Sequence, residues 1–253
     1  AHQPYLPPER FDLFRSGAPR RWDLLSYTYR AAWVPNTFHV APDDVQGERD
    51  AYDGALRHVD HEIGRLVREL ERRGLLERTV LVVTSDHGEA FGEHGHMDHG
   101  NTLYEEEIHV PLIVVAPRRI PWGQRVAETV SLCDVGMTLL DLAGLADSAR
   151  IGGRSLRPYW EIVPDRTDGP AVAQLIQTNG RFVEAVTFEG WKYIRYEGEY
   201  GWGREELFDL RSDPAEKVNR IRDSTTAARV ALLRALLEAK KGTHDRRPVP
   251  RPR

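Results

Sequence analysis

The stretch from Thr79 to Val115, TVLVVTSDHGEAFGEHGHMDHGNTLYEEEIHVPLIVV, constrains this chain more than any other. It opens on an apolar β-branched run at 79–84 and closes on another at 110–115. Runs this short and continuous predict buried parallel strands covered on both faces. Between them stand Asp86, His87, Glu89, Glu93, His94, His96, Asp98 and His99, a density of ligand-type side chains that a surface loop has no packing reason to collect. In an open α/β sheet, ligands bind beyond the carboxyl ends of the strands. Asp86 and His87 sit there, and Gly88 lets the strand break, so that two neighbours otherwise facing opposite sides can turn to one point. A carboxylate oxygen and an imidazole nitrogen then offer one divalent cation two ligands. Closed zinc sites take four and oxygen-preferring cations six or more, so the remainder must come from elsewhere in the fold or from substrate. The plainer reading is a polar turn with solvated histidines.

Several segments together resemble the sulfatase family of the alkaline-phosphatase-like hydrolases: SDHGE after an apolar run, GEHG, HG at 99–100, and LYEEEIHVPLIV. The tripeptide DHG also occurs in phosphatases, phosphodiesterases and phosphomutases of that superfamily. HQPYLPP at 2–8 resembles the His-x-Pro-Tyr-x-x-Pro loop that sulfatases place over the active site. SLCDVGMTLLDLAGL, IGGRSL and ELFDLRSDPAEKVN continue the likeness, which runs from His2 to Asn219. It implies an α/β fold, the alkaline-phosphatase-like three-layer sandwich, present as its carboxyl-terminal half with a small C-terminal antiparallel sheet and a packing helix.

The resemblance also implies roles. Asp86 and His87 would be metal ligands, for one divalent cation among Ca, Mn, Mg and Zn. His2 and His99 would contact substrate or protonate the leaving group. His99 falls thirteen positions after Asp86, where many family members carry a Lys, and a His there keeps a donor but makes its charge titratable near neutral pH. His94 and His96 would be rim or loop-ordering residues, and Glu89 would orient His87 or cap the following turn. The family's nucleophile is a formylglycine made in a Cys/Ser-x-Pro-x-Arg motif, or a Thr or Ser in transferase-like relatives. No such motif occurs, since Cys133 is followed by Asp-Val-Gly-Met, so the nucleophile is expected upstream and the isolated chain is expected to be inactive.

Three functions follow. The first is a metal-dependent hydrolase of small-molecule or glycan sulfate esters. The second is a phosphodiesterase, phosphonate monoester hydrolase or phosphoglycerol-transferase-like member of the same superfamily. The third is a non-catalytic metal- or anion-binding domain. A net charge of -4 with mixed signs argues against nucleic acid as partner. No apolar run approaches the ~20 residues of a membrane span. The single Cys133 excludes an intrachain disulfide framework. The start at Ala1 reads as a fragment or a processed piece, and the family leans towards an exported or periplasmic protein.

Three regions are expected: residues 1–160 as the second half of the α/β domain, 161–241 as a C-terminal α+β subdomain, and 242–253 as a disordered basic, Pro-rich tail. Residues 1–42 read as an ordered loop. A long helix follows to about Arg73, with Tyr52, Ala55, Leu56, Val59, Ile63, Leu66, Val67 and Leu70 on one face and His58, Asp60 and His61 beside it. A short strand is expected at 126–130. A helix follows at 134–143, with Asp134 as its N-cap and Cys133 buried or half-buried at its start. Strands at 171–177, 182–188 and 191–196 are separated by Asn179-Gly180 and Glu189-Gly190, which predicts antiparallel hairpins. The acids of ELFDLRSDPAEKVN are expected in turns and caps, followed by an amphipathic helix at 225–240.

Overall fold

The computed structural model describes residues 2, 4–18, 41–146, 151–161, 169–176, 182–197 and 203–241. The long helix is α1 (Pro42–Arg72), with Pro42 in its first turn and Asp43 and Asp44 at its positive end. Strand β1 (Leu81–Thr84) leads into a two-residue hairpin of β2 (Ala90–Phe91) and β3 (Met97–Asp98), then a helical turn, α2 (Glu105–Ile108), and β4 (Leu112–Val115). Helix α3 (Cys133–Leu142) follows. A four-stranded sheet of β5 (Ala171–Ile176), β6 (Phe182–Phe188), β7 (Trp191–Glu197) and β8 (Glu205–Asp209) precedes α4 (Ala227–Lys241).

The chain separates into two compact units, Ala1–Asn101 with His109–Trp122, and Thr102–Ile108 with Gly123–Arg253. Leu103 and Tyr104 belong to the second unit because they pack in the core of the C-terminal sheet, against Val183, Ala185, Ile194, Tyr196 and Phe208.

In the first unit, β1 and β4 pair antiparallel, Leu81 opposite Val115 and Thr84 opposite Leu112, which corrects the expected parallel arrangement. A continuous apolar run reports what covers a strand's faces and carries no information about the direction of its neighbour. Both strands are half-buried at most positions, and Ile113 is 54% exposed. Helix α1 buries its first turns on small residues, Gly47, Ala51 and Gly54. A Cβ at Gly54 would lie 2.8 Å from the Pro7 ring, so glycine there is what lets the 4–18 segment lie on the helix. Asp50 fastens that segment by accepting from Ser16 N and Oγ, both at 2.7 Å. Further along, the apolar stripe forms one helix face as expected, with Tyr52, Ala55, Ile63, Val67 and Leu70 half-buried and Leu56, Val59 and Leu66 exposed among the described residues.

In the second unit, β5-β6-β7-β8 is antiparallel throughout, as the hairpin signals predict. Glu189 (φ 51°) and Gly190 (φ 75°) make the left-handed turn that joins β6 to β7. The Asn179-Gly180 turn and the 242–253 tail lie outside the described residues. One sheet face packs on α4 through Val186, Tyr193, Leu207, Val230, Leu233 and Leu237.

Three local expectations are corrected. Residues 126–130 form no strand. Asp134 lies inside α3 instead of capping it, buried and accepting from Arg154 N at 2.8 Å. Cys133 is exposed.

The acidic signatures of this unit are structural. The Lys192 side chain is fully buried, its Nζ 3.0 Å from both Glu105 Oε1 and Glu216 Oε1, while Glu216 Oε2 accepts from Glu105 N at 2.6 Å. Burial pushes the Glu216 carboxyl up, against the opposing pull of Lys192. Glu206 accepts from Tyr104 at 2.9 Å and Tyr196 at 3.1 Å. Burial first, and the Glu206 charge second, push Tyr104 up to about 12. Asp209 and Asp213 do hold turns, but Glu206 and Glu216 are buried partners rather than turn or cap residues.

Candidate functional site

All four sequence-predicted site residues belong to the first unit. Strand β1 ends at Thr84, and Ser85 Oγ donates to the His87 carbonyl at 2.7 Å, folding the chain into the turn that carries Asp86 and His87. Asp86 projects into solvent, 88% exposed. Its carboxyl is held below the ordinary range, first by its own backbone N–H and then by the neighbouring imidazole, so it is ionised at neutral pH.

The His87 Nδ1 lies 2.8 Å from the Gly88 carbonyl oxygen, which can only accept, so Nδ1 is the donor there and Nε2 is the nitrogen on the Asp86 side. That Nε2 is 3.8 Å from Asp86 Oδ2. Two donors about 2.1–2.6 Å from one ion stand about 3–4 Å apart, so the pair fits a shared divalent cation in both spacing and donor chemistry.

His99 lies over His87, ring centroids 3.9 Å apart and planes inclined by 31°. Its Nδ1 is 2.9 Å from Glu89 Oε1 and 2.9 Å from Asp98 Oδ1, and Asp98 Oδ1 also accepts the His99 backbone N–H at 3.0 Å. The other Glu89 oxygen accepts from the Tyr5 hydroxyl. Burial, and then the Glu89 charge, hold the Asp98 carboxyl above its ordinary range, with His99 opposing. Glu89, Asp98 and His99 bring ligand atoms within 4.8 Å of one another. Those atoms already bond among themselves at hydrogen-bond distances, which makes the cluster a brace around His99.

Glu89 therefore holds His99 and Tyr5, and its expected work of orienting His87 falls to the Gly88 carbonyl. Tyr5 is the residue that sequence reasoning missed. It is 4% exposed, edge-on to Tyr52 at 5.2 Å, in an apolar nest with Phe91, Met97 and Ala51. The available signal was an aromatic beside a predicted site histidine. His2, on the same segment, is exposed.

His94 sits at the tip of the β2–β3 hairpin. Gly92 (φ 96°), His94 (φ 50°) and Gly95 (φ 78°) make its left-handed bends, and Gly92 N donates to His96 O at 2.7 Å. Glu93 accepts from Phe91 N at 2.6 Å and pairs with Arg49. GEHG is thus hairpin chemistry. His58 and His61 stand on the surface of α1 around the Phe11 ring, at 4.9 and 5.1 Å, with Nε2 of each 3.9 Å from Glu62.

The family model for Sulfatase matches residues 2–145. Arylsulfatase K of Xenopus laevis is 31% identical over 201 residues, covering 76% of this chain and 37% of the relative, so the chain spans little more than a third of that length. A solved protein in complex with its substrate D-glucosamine-2-N,6-O-disulfate superposes with a TM-score of 0.68 at 27% identity, covering 87% of this chain and 46% of that one. The phosphonate monoester hydrolase of Agrobacterium radiobacter superposes with a TM-score of 0.69 at 25% identity, covering 81% and 43%. The fold is the alkaline-phosphatase-like one of its structural neighbours, and the chain belongs to the sulfatase family.

Proposed function

We propose that the chain is the cation-holding and leaving-group side of a metal-dependent hydrolase of sulfate esters. The observation that carries the reading is the Asp86–His87 pair, a carboxylate oxygen and an imidazole nitrogen 3.8 Å apart at the end of β1, with the ring oriented by the Gly88 carbonyl. When bound, a divalent cation there supplies neutralisation of the ester's non-bridging oxygens and activation of the nucleophile. The mixed oxygen and nitrogen pair suits Mn, Zn or Mg better than an all-oxygen calcium cage. His99 and His2 are assigned to the substrate anion or to the proton on the leaving oxygen, with His99 kept in register by Glu89. The nucleophile is assigned to the length of the relatives that this chain does not match. A sulfated sugar as substrate is supported by the ligand of the 27%-identical neighbour.

A phosphonate or phosphate diester is the second reading, favoured by the phosphonate monoester hydrolase neighbour. The two separate on kcat/KM of the full-length protein for an aryl sulfate and an aryl phosphonate monoester. Preference for the sulfate is expected, and a preference for the phosphonate would overturn the assignment.

A further inference from the structure

We infer that Glu89 is a positioning residue that ties the two histidine-bearing segments of the site into one unit. One of its oxygens takes the Nδ1 proton of His99 at 2.9 Å and the other takes the Tyr5 hydroxyl, from a residue 84 positions away and three from His2. Glu89 is only 7% exposed, so its charge has exchanged water for these two donors, and loss of either would leave it poorly solvated. Both carboxylates meet His99 through Nδ1, the orientation logic of a carboxylate–imidazole pair. Stacking on His87 limits ring rotation from one side, and Asp98 Oδ1 at 2.9 Å limits it from another. Tyr5 in turn is fixed by the rings of Tyr52 at 5.2 Å and Phe91 at 6.1 Å. The 4–18 segment and the 86–99 loop thus share one anchor, and a shift in either is transmitted to the other.

The inference rests on His99 facing substrate, as proposed above, and its test has one arm that needs no turnover. In the full-length, metal-loaded protein, Glu89→Ala is expected to lower kcat for an aryl sulfate by about 10–100-fold with a smaller change in KM and unchanged metal content. Glu89→Gln keeps an acceptor for His99 and an amide donor for Tyr5, and is expected to return to within about 5-fold of the parent on the same scale. Tyr5→Phe should cost about 2–5-fold, being one bond further away. Independently of activity, the Nδ1 proton of His99 should give a downfield resonance in the parent and in Glu89→Gln that is absent from Glu89→Ala. Parental kcat in Glu89→Ala, a Glu89→Gln variant as slow as the alanine, loss of metal with Glu89, or an unmoved His99 resonance would each overturn the assignment. A parent inactive on aryl sulfate, with the resonance behaving as stated, would instead fault the sulfatase reading and leave the brace standing.

Discussion

Two clusters of charge, one in each unit, are built on opposite terms. Around Lys192 the charges are turned mostly inward: the ammonium and Glu216 are fully buried, Glu105 is half-buried, and both carboxylates lie 3.0 Å from the ammonium. Around His99 the same kind of burial stops half-way. Glu89 and Asp98 are nearly covered, yet Asp86 is 88% exposed and the His87 side chain 39%. Breaking a closed ion cluster costs stability because a buried charge is left uncompensated, whereas a cluster that orders its inner members and leaves outer ligand atoms facing solvent is equipped to take a ligand. The difference teaches that acidic and basic letters in a signature divide by what is left over after the hydrogen bonds are made.

The largest effect that would sharpen this contrast is on the open side. Asp86→Ala and His87→Ala in the full-length protein are each expected to lower turnover by more than about 100-fold, beyond the range seen for groups that only orient ligands, while leaving the melting temperature near the parent's. A melting loss comparable to the activity loss would put the pair in the structural class. On the closed side the order reverses. Lys192→Ala strands the buried Glu216 carboxylate beside the half-buried Glu105 and is expected to cost about 3–5 kcal/mol in denaturant unfolding, with metal content per folded molecule unchanged. Next in size is Gly153→Ala. Its Cβ would fall 2.1 Å from the Cys133 carbonyl at φ 100°, so a loss of about 1–3 kcal/mol is expected by the same measurement. The smallest effect is a pH dependence at Asp223, the cap before α4. Hydrogen bonds from Thr225 and then Arg220 lower its carboxyl to about 2 from 3.8. Its contribution is therefore complete above pH ~3.8 and fades as pH falls towards ~2, because the unfolded chain takes up the proton first. Asp223→Asn should flatten that part of the stability profile, and an unchanged profile would show that the cap does not matter.

Legibility in the sequence followed the range of the interaction. Local codes were readable: the spacing that makes α1, the hairpin signals that set β5 to β7, and the break after β1 at Asp86-His87-Gly88. Properties set by distant partners were not. The direction of β4 beside β1 depends on the return path of the chain, and the run Leu112–Val115 reads the same either way. The roles of Glu206 and Glu216 depend on Tyr104, Tyr196 and Lys192, far off in sequence, so a strand acid and a buried ion pair looked like turn residues. Asp134 looked like a cap because it sits at a helix start, and its burial depends on the distant Arg154 N as well as on Ser131 N. At the site, the ligand-type residues were visible as a cluster, but not their pairing: Glu89 faces His99 instead of His87, and Tyr5 completes the brace from the other end of the unit.

Elemental analysis of the full-length protein, purified alongside its Asp86→Ala and His87→Ala variants, tests the central claim most directly. The account predicts a stoichiometric divalent cation in the parent and its loss from both variants at unchanged folding. Equal metal content in all three, or none in the parent after exposure to Mn, Zn, Mg and Ca, would contradict it.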